Sequence, residues 1–220
     1  MQISPQLEGI SIVLLGQFNP AIFQPAWLAA EKLIRPQEAE SAEIQLIHPE
    51  AAIIQMEWLK LNVMRERFQV ATVQSSYFEP LRDLVMGIFS LLSHTPLRAL
   101  GINHEFHFRL DSEKKWHALG DHLAPKRDWT LLNKPGLRSL VIEGQRDDGF
   151  DGYVRVKVEP SQRFEHSLYI EVNDHFELRP ATTGYGGSEK LIEILTSQWA
   201  RSMQRGTELG QKLVELAKEA

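Results

Sequence analysis

Apolar and polar positions along the chain switch repeatedly between a period of two and a period of three to four, and the switches mark out its elements. Ile10 to Phe18 is a short, nearly continuous apolar run, which predicts a buried strand. Asn19-Pro20 then offers a helix cap and a first helical residue. Phe23, Trp27, Ala30 and Ile34 follow on one helical face, and Arg35-Pro36 ends that helix. Residues 42–48 alternate, Ile44 and Leu46 against Glu43 and Gln45, up to a turn at His48-Pro49-Glu50. Ile54, Met56 and Trp58 continue the alternation; its phase shifts near Leu59 to Leu61 and Val63, which predicts a bulge. Phe68, Val70 and Thr72 form another strand. Ser76 to Glu79 has the form of a capping box, and Leu81, Leu84, Val85, Ile88 and Leu92 make a helical stripe that stops before Thr95-Pro96.

The second half runs in a similar order. Leu100, Ile102, His104, Phe106 and Phe108 alternate along a long strand, and Asp111 or Ser112 caps a short helix that Gly120 ends. After a loop punctuated by Pro and Gly come three strands, at 138–145, 151–159 and 165–177. The Gly-rich stretch Thr183 to Gly187 leads into a helix capped by Ser188, with Leu191, Ile192, Leu195, Trp199 and Met203 on its face. Gly206 and Gly210 should weaken or bend that helix.

Each half thus reads strand, helix, three strands, helix, and the joins GQFNP…PAWLA and FRLDSEKKWHALG each place a Trp shortly after a capped start. The expected fold class is α+β: pseudo-duplicated β-α-β-β-β-α units, 1–96 and 97–220, fused into one domain whose curved antiparallel sheet carries helices on one face. This element order resembles the TATA-binding-protein-like fold, a duplicated saddle found in functionally unrelated families, so the resemblance implies architecture and no activity. The segments Gly101-Ile-Asn-His-Glu-Phe-His-Phe108 and Val172-Asn-Asp-His175 resemble a sporadically distributed, uncharacterised bacterial protein family, a likeness that implies no catalytic residues.

Composition narrows the chemistry. The chain has no cysteine, which excludes disulfides, thiol catalysis and Cys-ligated metal sites. Its first residues lack a basic n-region, and no stretch approaches the ~20 apolar residues of a membrane span. A soluble, cytoplasmic protein is expected. Net charge is −5; six Lys/Arg stand against ten Asp/Glu over 1–96, leaving eighteen against nineteen in the rest. Neither half carries the basic footprint of a general nucleic-acid binder.

Candidate sites are weighed against structural roles. His104, His107, His117, His122 and Asp121 cluster in sequence, but His104 and His107 should point to opposite faces of a strand, and no HExxH spacing is present. No metal site and no cofactor are expected, and His104 fits a hydrogen-bonded core position. Gly184–Gly187 could present N–H groups to an anion, but it matches no phosphate-loop spacing. Arg146 to Gly152 lacks the ligand pattern of a calcium loop and reads as a hairpin turn. No GxSxG elbow orders a catalytic triad. The alternation instead collects Asn103, Glu105, His107 and Arg109, then Tyr153, Arg155 and Lys157, then Tyr169, Glu171, Asn173, His175 and Glu177 on the sheet face away from the helices.

The function expected from this pattern is a non-enzymatic binding or assembly protein, an immunity or regulatory component. It would hold a protein partner or a second copy of itself on the polar face or on a sheet edge. The binding residues would be Glu105, His107, Arg109, Arg155, Lys157, Tyr169, Glu171, Asn173 and His175. The competing expectation is an enzyme or sensor for a nucleotide or small phosphorylated ligand. Negligible affinity for duplex DNA at physiological salt follows from the charge, and fluorescence anisotropy checks it: micromolar binding with a steep salt slope would overturn that expectation.

Overall fold

The computed structural model of the protein describes residues 4–178 and 187–219. The chain opens with β1 (Leu7–Gly16), then two short helices, α1 (Pro25–Ala30) and α2 (Pro36–Glu40). Four strands follow, β2 (Glu43–His48), β3 (Ala51–Gln55), β4 (Lys60–Met64) and β5 (Arg67–Thr72), and then α3 (Phe78–Leu91). The second half is β6 (Leu97–Arg109), α4 (Glu113–Leu123), β7 (Leu140–Gln145), β8 (Gly152–Pro160), β9 (Ser167–Glu177) and α5 (Ser188–Glu219). All the strands join one antiparallel sheet in the order β2-β3-β4-β5-β1-β6-β9-β8-β7. Among the described residues, no helix is long and apolar enough to cross a membrane.

Several local expectations are corrected. The phase shift near Leu59 is a reversal, not a bulge: β3 and β4 pair with Ile54 opposite Leu61, and Met56 N–H bonds the Leu59 carbonyl across the turn. The first half therefore has four strands after its helices, where three are expected. A bulge does occur between Ile44 and Leu46, where β2 pairs with β3. Asn19 caps only a short 3-10 turn at Pro20–Ile22, because Pro25 starts a new helix and Pro36 starts another. Tyr77, not Ser76, precedes α3, and it makes no side-chain cap. Ser112 does cap α4, accepting from Lys115 N–H at 3.2 Å, and the helix runs on through Gly120. Ser188 is the first residue of α5; its hydroxyl donates to the Ser93 carbonyl at 3.3 Å and does not cap. The rest of the Gly184–Gly187 anion loop, apart from Gly187, lies outside the described residues.

One face of the sheet buries Ile10, Ile12, Leu14, Leu100 and Ile102 against Leu81, Val85 and Phe89 of α3 and Leu191, Ile194 and Trp199 of α5. A second apolar cluster joins Phe106, Phe108, Ile170 and Val172 to Leu119 of α4 and Val214 of α5. Gly206 and Gly210 do not interrupt α5 but let it lie close on β6: a Cβ at Gly206 would stand 2.5 Å from His104 Nδ1, and one at Gly210 would stand 3.3 Å from the Phe106 ring. His104 is buried at 2% exposure beneath this contact, with its Nε2 2.6 Å from Glu8 Oε1.

On the same side lies a charge network that the sequence pattern does not announce. Asp174 of β9 pairs in register with Val154 and Ile102 and so points toward α5. Arg205 donates to both of its oxygens at 2.7 and 2.6 Å. Arg146, from the β7–β8 hairpin, bonds both Asp174 and Asp148 and stacks 3.7 Å over Phe176. Burial alone would raise the Asp148 carboxyl, but the hydrogen bond and charge of Arg146 hold it below the usual aspartate range. The hairpin expected at Arg146–Gly152 is present, with Gly149 and Gly152 at φ of 86° and 141°.

Asp174→Ala leaves the Arg146 guanidinium, 1% exposed, short of one of its two carboxylates. The variant should lose about 3–5 kcal/mol in urea unfolding, the usual cost of breaking a buried pair. A loss under about 1 kcal/mol would show that the network contributes little to stability.

Candidate functional site

The opposite face of the sheet follows from register. Because cross-strand partners share a face, β1, β6, β9, β8 and β7 set out polar rows across five strands. Ser11, Asn103, Asn173, Arg155 and Glu143 form one row. Gly9, Glu105, Glu171 and Lys157 form the next, and Leu7, His107, Tyr169 and Glu159 the one beyond. On the other side of the first row lie Val13, Gly101, His175, Tyr153 and Gln145. His107 thus lies on the face opposite His104, as the odd spacing requires.

The first row is a hydrogen-bonded ladder. Asn173 Nδ2 donates to Asn103 Oδ1 at 2.5 Å, and Asn103 Nδ2 donates to Ser11 Oγ at 3.0 Å. Gly101 leaves room for this: a Cβ there would meet Asn173 Nδ2 at 2.9 Å. Arg155 forks onto Glu143 Oε2 at 3.0 and 2.7 Å, which raises the Arg155 pKa, and its guanidinium lies over the Tyr153 ring. His175 stacks on Tyr153 at 4.3 Å and 9°, with Nε2 3.3 Å from Glu177 Oε1.

The second and third rows hold the perturbed groups. Glu105 and Glu171 face each other directly, and among the described residues neither has a Lys, Arg or His within ion-pair distance. Burial first, and then the Glu171 charge, raise the Glu105 carboxyl above its ordinary range. Tyr169 donates to Glu171 Oε2 at 2.7 Å, and burial together with that bond raises the phenol far above its usual pKa. Lys157 lies over the Tyr169 ring but pairs with Glu159, at 3.3 Å. His107 is buried against Tyr169 and Phe164; burial and then Arg163 lower its pKa, so the imidazole is neutral at neutral pH. Its Nδ1 lies 2.8 Å from Ser161 Oγ. That hydroxyl already accepts the Arg163 and Phe164 N–H groups, so it donates its hydrogen bond to Nδ1, which leaves Nε2 as the ring nitrogen that carries the proton.

Of the expected binding residues, Glu105, His107, Lys157, Tyr169 and Glu171 come together, Arg155 and Asn173 stand one row away, and His175 two. Arg109 lies apart, exposed opposite Ser167 near the strand end. Sequence reasoning missed Glu143 and Glu159, which the alternation of β7 and β8 places beside Arg155 and Lys157. It also missed Ser161, Arg163 and Phe164, which fold over His107 from a turn without period. His117 and Asp121 do share the uninterrupted α4, but His117 approaches Glu113 at 3.5 Å and Asp121 accepts from Lys126 N–H.

A raised carboxyl favours the fold at low pH: the native chain binds that proton more tightly, so the charged form of Glu105 costs stability as pH rises from the ordinary glutamate range through its raised value. Glu105→Gln should therefore stabilise the protein at pH 7 by about 0.2–1 kcal/mol, the scale of a cross-strand like-charge pair. Thermal melts should show the gain shrinking toward pH 4.5. A pH-independent gain, or a loss at pH 7, would contradict the electrostatic account.

Compared with protein-family models and with curated proteins, the chain matches none.

Proposed function

We propose that this chain is a non-enzymatic binding protein whose polar sheet face receives a protein partner, with the Glu105–Glu171 pair taking a lysine or arginine of that partner. The observation that carries this is the pair itself: two carboxylates opposed across β6 and β9, one of them raised, with no Lys, Arg or His of the described residues within ion-pair distance of either. A partner's cation between the two carboxylates would offset their mutual repulsion and reduce a native-state penalty. Perturbed groups of this kind mark functional sites more often than they mark plain surface.

The phosphorylated-ligand reading has less support, because its cations are engaged. Arg155 is forked onto Glu143 and Lys157 is paired with Glu159. The strand order favours a duplicated saddle: β1 and β6 are central, flanked by β5 and β9, the last strands of their own halves. A second copy of the chain is supported at the sheet edges, where Ile44 and Leu46 of β2 and Val141 and Ile142 of β7 stand exposed.

The test is affinity purification of the tagged chain from native lysate, with and without nuclease, repeated with Glu105→Gln/Glu171→Gln. The double variant should fold as well as the parent and hold the co-purifying protein at least about tenfold more weakly, since losing a desolvated interfacial charge costs about 2–5 kcal/mol. Undiminished retention by a folded double variant would move the interface off this face. A co-purifying small molecule in place of a protein would favour the phosphorylated-ligand reading.

A further inference from the structure

Away from the polar face, α4, the loop after it and the ends of β8 and β9 enclose a cavity of about 420 Å³. Its walls are mostly apolar: Trp116 from α4, Leu137 from the loop, Val158 and Pro160 from β8, and Leu168 from β9. Val158 and Leu168 belong to the second core cluster, so the cavity reaches to the core itself. Trp116 is fixed by its Nε1 donating to the Ser167 carbonyl at 3.3 Å. Lys126 and Lys134 also line it, and Lys134 is exposed.

The charges along this lining are unequal. Glu159 also lines the cavity, but it is paired with Lys157, and His117 lies near Glu113. Among the described residues neither Lys126 nor Lys134 forms an ion pair. An adjoining hollow of about 240 Å³ shares Lys126 and Leu137 and adds Trp129 and Leu132, which are 53% and 58% exposed. An apolar chamber whose lining includes two lysines without an ion pair among the described residues is complementary to a molecule with an apolar body and one anionic end.

We infer that this cavity is a binding site for a single anionic amphiphile, its apolar chain against Trp116, Val158 and Leu168 and its carboxylate between Lys126 and Lys134. At about 30 Å³ per small group, the chamber holds on the order of a dozen heavy atoms, the size of a ten-carbon carboxylate. This site shares only Glu159 with the polar rows and does not depend on the function proposed for that face.

Gly120 makes the test clean. It lines the cavity from inside α4, and a Cβ there meets only Leu137 Cβ, at 4.0 Å. Gly120→Leu therefore places an apolar side chain in the chamber with no clash at its Cβ, takes up part of the space the ligand needs, and replaces a helix-weakening glycine. Isothermal titration of the full chain with decanoate should show one site per chain. Gly120→Leu should weaken it at least about tenfold, and Lys126→Met/Lys134→Met by about tenfold. 1-Decanol should bind the parent about tenfold less tightly than decanoate and should not distinguish the parent from the double lysine variant. Absence of saturable decanoate binding up to about 1 mM would overturn the inference, as would binding that survives Gly120→Leu or occurs at several equivalents per chain. Decanol binding as tightly as decanoate would remove the role of the lysines and overturn it equally.

Discussion

Strand β6 is hydrogen-bonded on both edges and packed under α5 on one face, and its register decides where the rest of the structure goes. It pairs with β1 from Leu97 to His107 and with β9 from Ala99 to Arg109, so it cannot slide without breaking two ladders. On one face Leu100, Ile102, His104, Phe106 and Phe108 set the surface on which α5 lies, close enough at Gly206 and Gly210 that only hydrogen is tolerated at the first. On the other face Gly101, Asn103, Glu105 and His107 set the starting points of the polar rows. A slip of one residue would exchange those faces, sending a carboxylate under a helix and phenylalanines into the rows.

The two faces treat charge in opposite ways, and the contrast is visible within β9 alone. Asp174, toward α5, is held by two arginines from different elements, and each of its oxygens is bonded. Glu171, three residues earlier and on the other face, receives only the Tyr169 hydroxyl among the described residues and stands opposite another carboxylate. Selection for stability alone favours the first arrangement in both places, since like charges directly opposite each other destabilise a sheet. The Glu105–Glu171 pair is the local departure from that rule on which the proposed interface rests. Cations of the fold offset the pair only in part: the Arg163 and Lys157 charges lower the Glu105 carboxyl but do not undo burial and Glu171, and Lys157 and Arg155 are themselves paired with Glu159 and Glu143.

How much of this could be seen in the sequence depended on whether a period carried the information. The β6, β8 and β9 alternations placed His104 inward, His107 outward and nearly all of the polar face correctly, because period two is a geometric consequence of the strand. Where two periods met within a few residues, the pattern misled. Met56 and Trp58 keep an apolar spacing through the β3–β4 reversal because the turn itself is packed: both side chains are buried, and Trp58 Nε1 donates to Glu38. The helix after β1 shows the same failure, since Phe23, Leu28 and Ile34 are all core residues although the backbone between them is a 3-10 turn and one short α-helix.

The features with no signal in the sequence are those assembled from distant, aperiodic residues. Arg146 meets Asp174 across 28 positions and Arg205 meets it across 31, through contacts that neither residue's neighbours announce. The cavity is less legible still, because it is an absence: α4, a loop and two strand ends fail to meet, and Gly120, read as a helix terminator, sits mid-helix where it leaves the space open. The glycines of α5 make the same point in reverse. In a one-dimensional reading a helical glycine is a weakness; here Gly206 and Gly210 bring α5 down onto β6, and Gly120 leaves space beside α4. Whether a missing Cβ closes a contact or leaves a space is decided by what lies opposite it, and a single strand of text does not contain that.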